Sequence, residues 1–356
     1  MELKVRQMPK RKERRTKFSD ANPGLPEEDI SQMTYLVTGG AGFVGSRLVE
    51  RLLEENHDVL IVDDFSTGKS DNLERARKNE KLRIVNGSIL DSSLVKSLMN
   101  EVVGCFHLAA AVGVRNIVEK PIDSMITNIR GSEIVLEAAR NNNVPTLVTS
   151  TSEIYGKNPE VPLKEESDRL LGSPLISRWT YSEAKAIEEL LAFDLWFSSD
   201  IRVNIVRLFN TVGPRQLGDF GMVIPRMISA ALRNEDILVH GSGEQTRTFC
   251  HVDDAVAGIL SVWNSPLTSG IPVNIGGTEE ISMKNLAAKI KDLVGSSSKI
   301  RLVGYDKVYP NGFEDIPRRV PDTTKIKELT GWKAEKSLED ILVESISEMR
   351  ARLING

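Results

Sequence analysis

The sequence predicts an α/β fold: a doubly wound parallel sheet, with a smaller mixed α/β part after it. Three observations predict it. A short apolar, β-prone run, Met33-Thr34-Tyr35-Leu36-Val37, leads directly into Thr38-Gly39-Gly40-Ala41-Gly42-Phe43-Val44-Gly45. A second apolar run, residues 59–62, ends in Asp63-Asp64 about twenty residues further on. Strand-like and helix-like segments then alternate as far as residue 148, the pattern of a parallel sheet covered on both faces.

Taken in order, each element has its reason. Phe43, Val44, Leu48, Val49, Leu52 and Leu53 recur at helical spacing, so the glycines occupy a strand-to-helix turn. Gly39 permits the tight turn, Gly42 lets backbone approach a pyrophosphate, and Gly45 lets the helix pack close to the strand. The N–H groups opening that helix face the negative charge. Asp63, at the end of the second strand, is placed to accept hydrogen bonds from an adenosine ribose and to repel a 2′-phosphate, which favours NAD over NADP; Asp64 lies beside it. Residues 82–85 make a third strand leading to Gly87, Ser88 and Asp91. Residues 102–108 make a fourth, ending in Leu108-Ala109-Ala110-Ala111, where small side chains leave room for a ligand. Beyond Pro121, the residues Ile126, Asn128, Val135, Leu136 and Ala139 read as a long amphipathic helix, and residues 144–148 as the fifth strand. This is a Rossmann-type arrangement, which binds ligands at the carboxyl ends of its strands.

At such an end stands Thr149-Ser150-Thr151-Ser152-Glu153-Ile154-Tyr155-Gly156, followed later by Tyr181-Ser182-Glu183-Ala184-Lys185. If Tyr181 opens a helix, Lys185 lies one turn away on the same face. A phenol is a poor base at neutral pH, and a fixed cation beside it favours phenolate. The hydroxyls of Thr151 and Ser152 can orient the substrate hydroxyl that loses its proton. Tyr-x-x-x-Lys is common on helices, so it is the company of the glycine turn and the Thr-Ser-Glu cluster that gives it weight.

Composition sets the bounds. The chain has 356 residues, 40% hydrophobic and 27% charged, with a net charge of -4, so no overall basic excess points to nucleic acid. Two cysteines, Cys105 and Cys250, cannot form a disulfide framework, and a reducing cytoplasmic compartment is the default. Residues 1–32, with the basic run Lys10, Arg11, Lys12, Arg14, Arg15 and Lys17, read as a flexible, solvated arm lacking an apolar stretch long enough for a signal peptide or a membrane span. Residues 33–210 then form the cofactor-binding part with the catalytic residues, and residues 211–356 mainly the substrate-binding part, with segments returning to the first sheet. His251, Asp253 and Asp254 after Cys250 lack the spacing of a metal site, and no metal is expected.

With TGGAGFVG, HLAA, TSEIYG and YSEAK in this order, the chain from about Thr34 onward resembles the extended short-chain dehydrogenase/reductase family of sugar-nucleotide epimerases, dehydratases and decarboxylases. The resemblance implies bound NAD, a UDP-sugar or other nucleotide-sugar substrate, transient oxidation at carbon 4, and a homodimer formed through the helices near Gly131 and Glu183. It implies Tyr181 as general base, Lys185 as the group that lowers its pKa and binds the nicotinamide ribose, and Thr151 as their hydroxyl partner. It also implies Asn128 as a cofactor-side asparagine, Asn210 as a diphosphate contact, Arg247 as a clamp on the nucleotide phosphates, and Arg319 as a substrate-facing arginine. Where many relatives place an aspartate for adenine, this chain has Ser88.

Three reactions share that first oxidation. Glu153 stands where dehydratases and uronic-acid decarboxylases of the family carry a carboxylate, as a second acid/base or as an ion-pair partner. Arg178, three residues before Tyr181, resembles the substrate arginine of UDP-glucuronate decarboxylases and suits a hexuronate carboxylate. Oxidation at carbon 4 of such a sugar gives a β-keto acid, which loses carbon dioxide through an enolate. The segments Ala111-Val112-Gly113-Val114-Arg115 and Gly221-Met222-Val223-Ile224-Pro225-Arg226 look more like 4-epimerases. Decarboxylation is therefore the leading expectation, then 4-epimerisation, then 4,6-dehydration, with an NAD-binding regulator as the non-enzymatic alternative.

Overall fold

A computed structural model describes residues 33–111, 121–216, 222–308 and 314–355. The basic N-terminal arm, the epimerase-like residues 112–115 and Gly221 lie outside the described residues. Six strands in chain order open the sheet: β1 Thr34–Thr38, β2 Asp58–Asp63, β3 Leu82–Asn86, β4 Gly104–His107, β5 Thr146–Thr151 and β6 Val203–Leu208. The seventh, Pro272–Ile275, comes from far along the chain and pairs with β6. Reading across, the order is Pro272–Ile275, β6, β5, β4, β1, β2, β3, with every pair parallel.

Parallel strands covered on both faces need apolar residues at successive positions, and the strands supply them. Val37, Ile61, Phe106, Leu147, Val206 and Val273 point into a layer shared with the helices Phe43–Glu54 and Val252–Asn264. Their neighbours Leu36, Leu60, Val62, Cys105, Val148 and Ile205 point the other way, towards Ser92–Met99, Pro121–Asn142 and Trp179–Ser198. A third core, built on Ile224, Ile228, Leu286, Ile290, Ile341 and Leu342, joins the helices Val223–Leu232, Met283–Val294 and Leu338–Asn355 in the second lobe.

Register decides what meets at the sheet's carboxyl edge. Thr38 pairs with Val62 on one side and His107 on the other, and Thr151 pairs with Leu208. The glycine turn, Asp63, Leu108 and Thr151 therefore emerge at one level, around the point where strand order reverses beside β1. Opposite them the second lobe pairs the strand Thr246–Arg247 in parallel with Arg318–Arg319, setting Arg319 beside Arg247. Among the described residues no helix is long and apolar enough to cross a membrane.

Candidate active site

Between the sheet edge and the second lobe lies a cavity of about 750 Å³, within the size range of small-molecule and cofactor sites. Gly39, Gly42, Phe43, Val44, Gly45, Asp63, Asp64, Leu108, Ala109 and Ala110 line one part of it. Thr151, Ser152, Glu153, Arg178, Tyr181, Lys185, Asn210 and Arg319 line the other.

The cofactor side is shaped by what it lacks. Gly39 has φ +71, and a Cβ there would come 2.7 Å from the Ala109 nitrogen. A Cβ on Gly45 would fall 2.1 Å from the Gly39 carbonyl oxygen, so only glycine lets this helix start so close under the turn. Asp63 is fastened beneath: Ala41 N–H donates to Oδ2 at 2.8 Å and Phe65 N–H to Oδ1 at 2.8 Å. Burial raises the Asp63 pKa above its ordinary value, and those two amides pull against it. Asp64 is exposed and closes a local turn onto Ser66. A backbone cradle at a helix N-terminus, followed by a carboxylate at the end of the next strand, fits a dinucleotide.

The catalytic side is built on the helix Trp179–Ser198, which puts Tyr181 in its first turn and Lys185 in the next. Lys185 is buried, and Nζ donates to the Thr149 carbonyl at 3.0 Å and to Glu188 Oε2 at 2.8 Å. Burial works against the ammonium, but Glu188, then Tyr181, outweigh it and hold the Lys185 pKa above its ordinary value. For Tyr181 burial is the strongest influence and raises the phenol's pKa; Lys185 and a hydrogen bond with Thr151 lower it, while Glu188 and Glu153 raise it. The net direction is up. The lysine alone was expected to bring the phenol down, and burial together with two carboxylates reverses that in the site as it stands.

Three further expectations meet the geometry. Glu153 was expected as a second acid/base or as an ion-pair partner, and Arg178 reaches it at 3.1 Å and Arg319 pairs with it as well. Burial would raise its pKa; Arg178, then Arg319, overcome this and hold it at about 2, so in the site as it stands Glu153 is ionised and paired. Asn128 does not line the cavity: its Oδ1 accepts the Ala111 N–H at 2.6 Å and its Nδ2 donates to the Ala111 carbonyl at 3.2 Å, so it shapes the alanine turn from behind. Arg247 is buried behind the cavity wall, donating to the Ile316 carbonyl at 2.7 Å and Asp315 at 2.8 Å. Burial and its neighbour Arg319 lower its pKa to about 10, and its charge acts on the site through Glu153. Asn210 lines the cavity with both ends of its amide engaged, donating to the Thr248 carbonyl at 2.7 Å and accepting from Arg319.

Two contributors went unread in the sequence. Glu188 sits three residues after Lys185, the i,i+3 spacing that should have marked it. Arg215 lines the cavity from a left-handed backbone position, φ +74, and its guanidinium holds Glu50 of the first helix at 2.7 Å. The preceding Gly213-Pro214 was its signal, a turn that throws the next residue out of regular structure. His251 caps the helix Val252–Asn264, its Nδ1 accepting the Asp253 N–H at 3.1 Å, and no cluster of metal-ligating residues occurs among the described ones.

Residues 36–345 match the family described as GDP-mannose 4,6 dehydratase. The chain is 42% identical to a UDP-N-acetyl-alpha-D-glucosaminuronate decarboxylase of Bacillus cytotoxicus, over 88% of this chain and 97% of that one. It belongs to this family. The sequence is 36% identical to UDP-glucuronic acid decarboxylase 1 of Xenopus tropicalis, covering 92% of this chain and 74% of that one. Its structure resembles UDP-glucuronic acid 4-epimerase from Bacillus cereus, solved with UDP-glucuronic acid and NAD, at TM-score 0.81 and 26% identity, covering 90% of this chain and 100% of that one. The protein is thus an extended short-chain dehydrogenase/reductase and an NAD-dependent sugar-nucleotide enzyme, which sets aside the regulator alternative. In this family setting the glycine turn with Asp63 is the part that would hold NAD.

Proposed function

We propose that the enzyme decarboxylates a UDP-linked hexuronate, with UDP-glucuronate and its 2-acetamido counterpart as the candidate substrates. The observation that carries it is the convergence of Arg178 and Arg319 on Glu153 in the cavity that also holds Tyr181 and Thr151. Two guanidinium groups beside the reacting alcohol suit a sugar carboxylate, since arginine binds carboxylates through paired, charge-assisted hydrogen bonds. The curated relatives named above are both decarboxylases, which supports the same reading.

Tyr181, as phenolate, takes the proton of the 4-hydroxyl, with Thr151 orienting that hydroxyl and Lys185 stabilising the charge. NAD, when bound, supplies the hydride acceptor and later the donor at carbon 4. The 4-ketone makes the neighbouring carboxylate part of a β-keto acid. The bond from carbon 5 to the carboxyl carbon then breaks, its electrons pass into the enolate, and carbon dioxide leaves. Carbon 5 takes up a proton from solvent, hydride returns to carbon 4, and Tyr181 gives its proton back to the oxygen on carbon 4, which leaves a UDP-pentose. Glu153, held at about 2 by Arg178 and Arg319, keeps those arginines in place as their ion-pair partner.

Incubation with NAD and either uronate, followed by sugar-nucleotide chromatography and carbon dioxide measurement, tests this. A pentose with one carbon dioxide is expected. A 4-epimer that keeps its carboxylate selects the second reading, which the fold's likeness to a uronate 4-epimerase favours.

Two further readings belong here. Both cysteines are free and buried, which supports a reducing, cytoplasmic setting. The helices Pro121–Asn142 and Trp179–Ser198 pack together and expose Ile122, Ile126, Ile187, Leu190 and Phe197, an apolar face suited to a second copy in a homodimer.

A further inference from the structure

We propose that Glu188 is a positioning residue of the catalytic pair: its buried carboxylate pins the Lys185 ammonium beneath Tyr181 and balances its charge. The inference deepens the reading above and rests on Tyr181 as the base. Tyr181, Lys185 and Glu188 occupy positions i, i+4 and i+7 of the helix Trp179–Ser198, one face over two turns. The Lys185 and Glu188 side chains are 3% and 0% exposed, with 2.8 Å between Nζ and Oε2. An ammonium has three donors; Glu188 and the Thr149 carbonyl take two, leaving one for a ligand hydroxyl. Without Glu188 the lysine has two hydrogens to place elsewhere instead of one, and its position is no longer unique.

The charge balance follows from what faces the pair. From the same helix come Tyr181 and Glu189, and Glu189 is committed to Arg207 through contacts of 2.8 and 2.7 Å. From β5 and the turn after it come the Thr149 carbonyl, Thr151 and Glu153, the last paired with Arg178 and Arg319. Burial raises the Glu188 pKa above its ordinary value, and Lys185, then the hydroxyl of Ser132 from the helix Pro121–Asn142, pull it back; that hydroxyl lies 2.8 Å from His107 Nε2. From β4 comes His107, kept neutral because burial, then Lys185, lower its pKa to about 3. Glu188 is thus the carboxylate in direct contact with Lys185, and its other oxygen, Oε1, is buried without a hydrogen bond of ordinary geometry. A carboxylate desolvated this far is held by its ion pair; a helix needing only a filled core would be served by an apolar residue. The consequence is a phenol that resists ionisation until a ligand adds positive charge or further donors.

The test compares the wild-type holoenzyme with Glu188→Gln, which keeps the shape and removes the charge. With ring-labelled tyrosine, nuclear magnetic resonance follows the Tyr181 titration directly; the chain has 5 tyrosines, and Tyr181→Phe assigns the signal. The Tyr181 midpoint should fall by about one pH unit or more, the acidic limb of kcat/KM should move with it, and KM for the sugar nucleotide should hold. Glu188→Asp, which keeps the charge at shorter reach, should retain the wild-type midpoint with a lower kcat. A Tyr181 midpoint that is the same in wild type and Glu188→Gln overturns the proposal. If Glu188→Gln does not fold, unchanged kcat and midpoint in Glu188→Asp overturn it instead. Failure of the underlying reading looks different: Tyr181→Phe would then turn over, whatever Glu188 does to the titration.

Discussion

Tyr181 reaches the cavity carrying opposed influences, burial pushing its pKa up and Lys185 drawing it down, and in the proposed mechanism its ionisation is the step on which the chemistry turns. Tyr181→Phe should lower kcat by about 10²- to 10⁴-fold while NAD binding, measured by fluorescence titration, stays near wild type; full turnover in this variant would remove the residue from the mechanism. Arg178 gives a second prediction at this scale, since it contacts Glu153 at 3.1 Å from the N-terminal end of the tyrosine helix. Arg178→Met should raise KM for UDP-glucuronate by about 10- to 100-fold, the worth of a charge-assisted hydrogen bond, and leave the affinity for UDP alone nearly unchanged. Equal losses for both ligands would place Arg178 on the nucleotide instead. The Tyr-x-x-x-Lys pair was legible in the sequence because both residues share one helix. The direction of the phenol's shift was not, because burial and Glu153 enter from outside that helix.

The glycine turn and the helix it opens act as one element, since the Gly39 carbonyl sits where a Gly45 Cβ would have to go, 2.1 Å away. Gly45→Ala should cost about 1–3 kcal/mol in stability, the range for overpacking, and weaken NAD binding because the helix must lift from the turn. Urea denaturation beside an NAD titration checks both effects, and an unchanged affinity would separate the turn from the cofactor. This element was readable because three glycines at fixed spacing have few other uses between a strand and a helix. Asn128 shows the opposite case. Its place on a helix after Pro121 was visible, whereas its amide's partner, Ala111, lies across a loop and was settled by packing.

Across the whole molecule, His107 ties β1, β4 and the helix Pro121–Asn142 together, lying 2.7 Å from Thr38 Oγ1 and 2.8 Å from Ser132 Oγ. Its folded pKa is lowered from 6.5 to about 3 by burial and Lys185. Between those values the unfolded chain binds a proton that the folded one refuses, so stability is full above the upper value and declines as pH falls through the window. The decline from this one group should approach about 1.4 kcal/mol per pH unit, and His107→Gln should flatten it, as denaturation at neutral and mildly acidic pH will show. An equal slope in both proteins would remove His107 as the cause. The exposed face with Leu190 and Phe197 predicts association at the same scale. Leu190→Arg should convert a dimer to a monomer in sedimentation, and a wild-type monomer at all concentrations would dismiss the interface.

What the sequence determined by itself was local: the glycine turn, Asp63 at the end of its strand, the alternation that makes a parallel sheet, and a tyrosine one helical turn from a lysine. Each of these is written in spacing, which short stretches of backbone convert directly into geometry. Only the tertiary structure decided that Glu153 meets two arginines, because Arg319 stands 166 positions away and arrives through the pairing of its strand with Thr246–Arg247. It also decided that Glu188 is buried against Lys185, since burial depends on which helix covers a face, and that Pro272–Ile275 extends the first sheet. Charge in a desolvated site is set by groups gathered from distant parts of the chain, and their distances come from folding rather than from order.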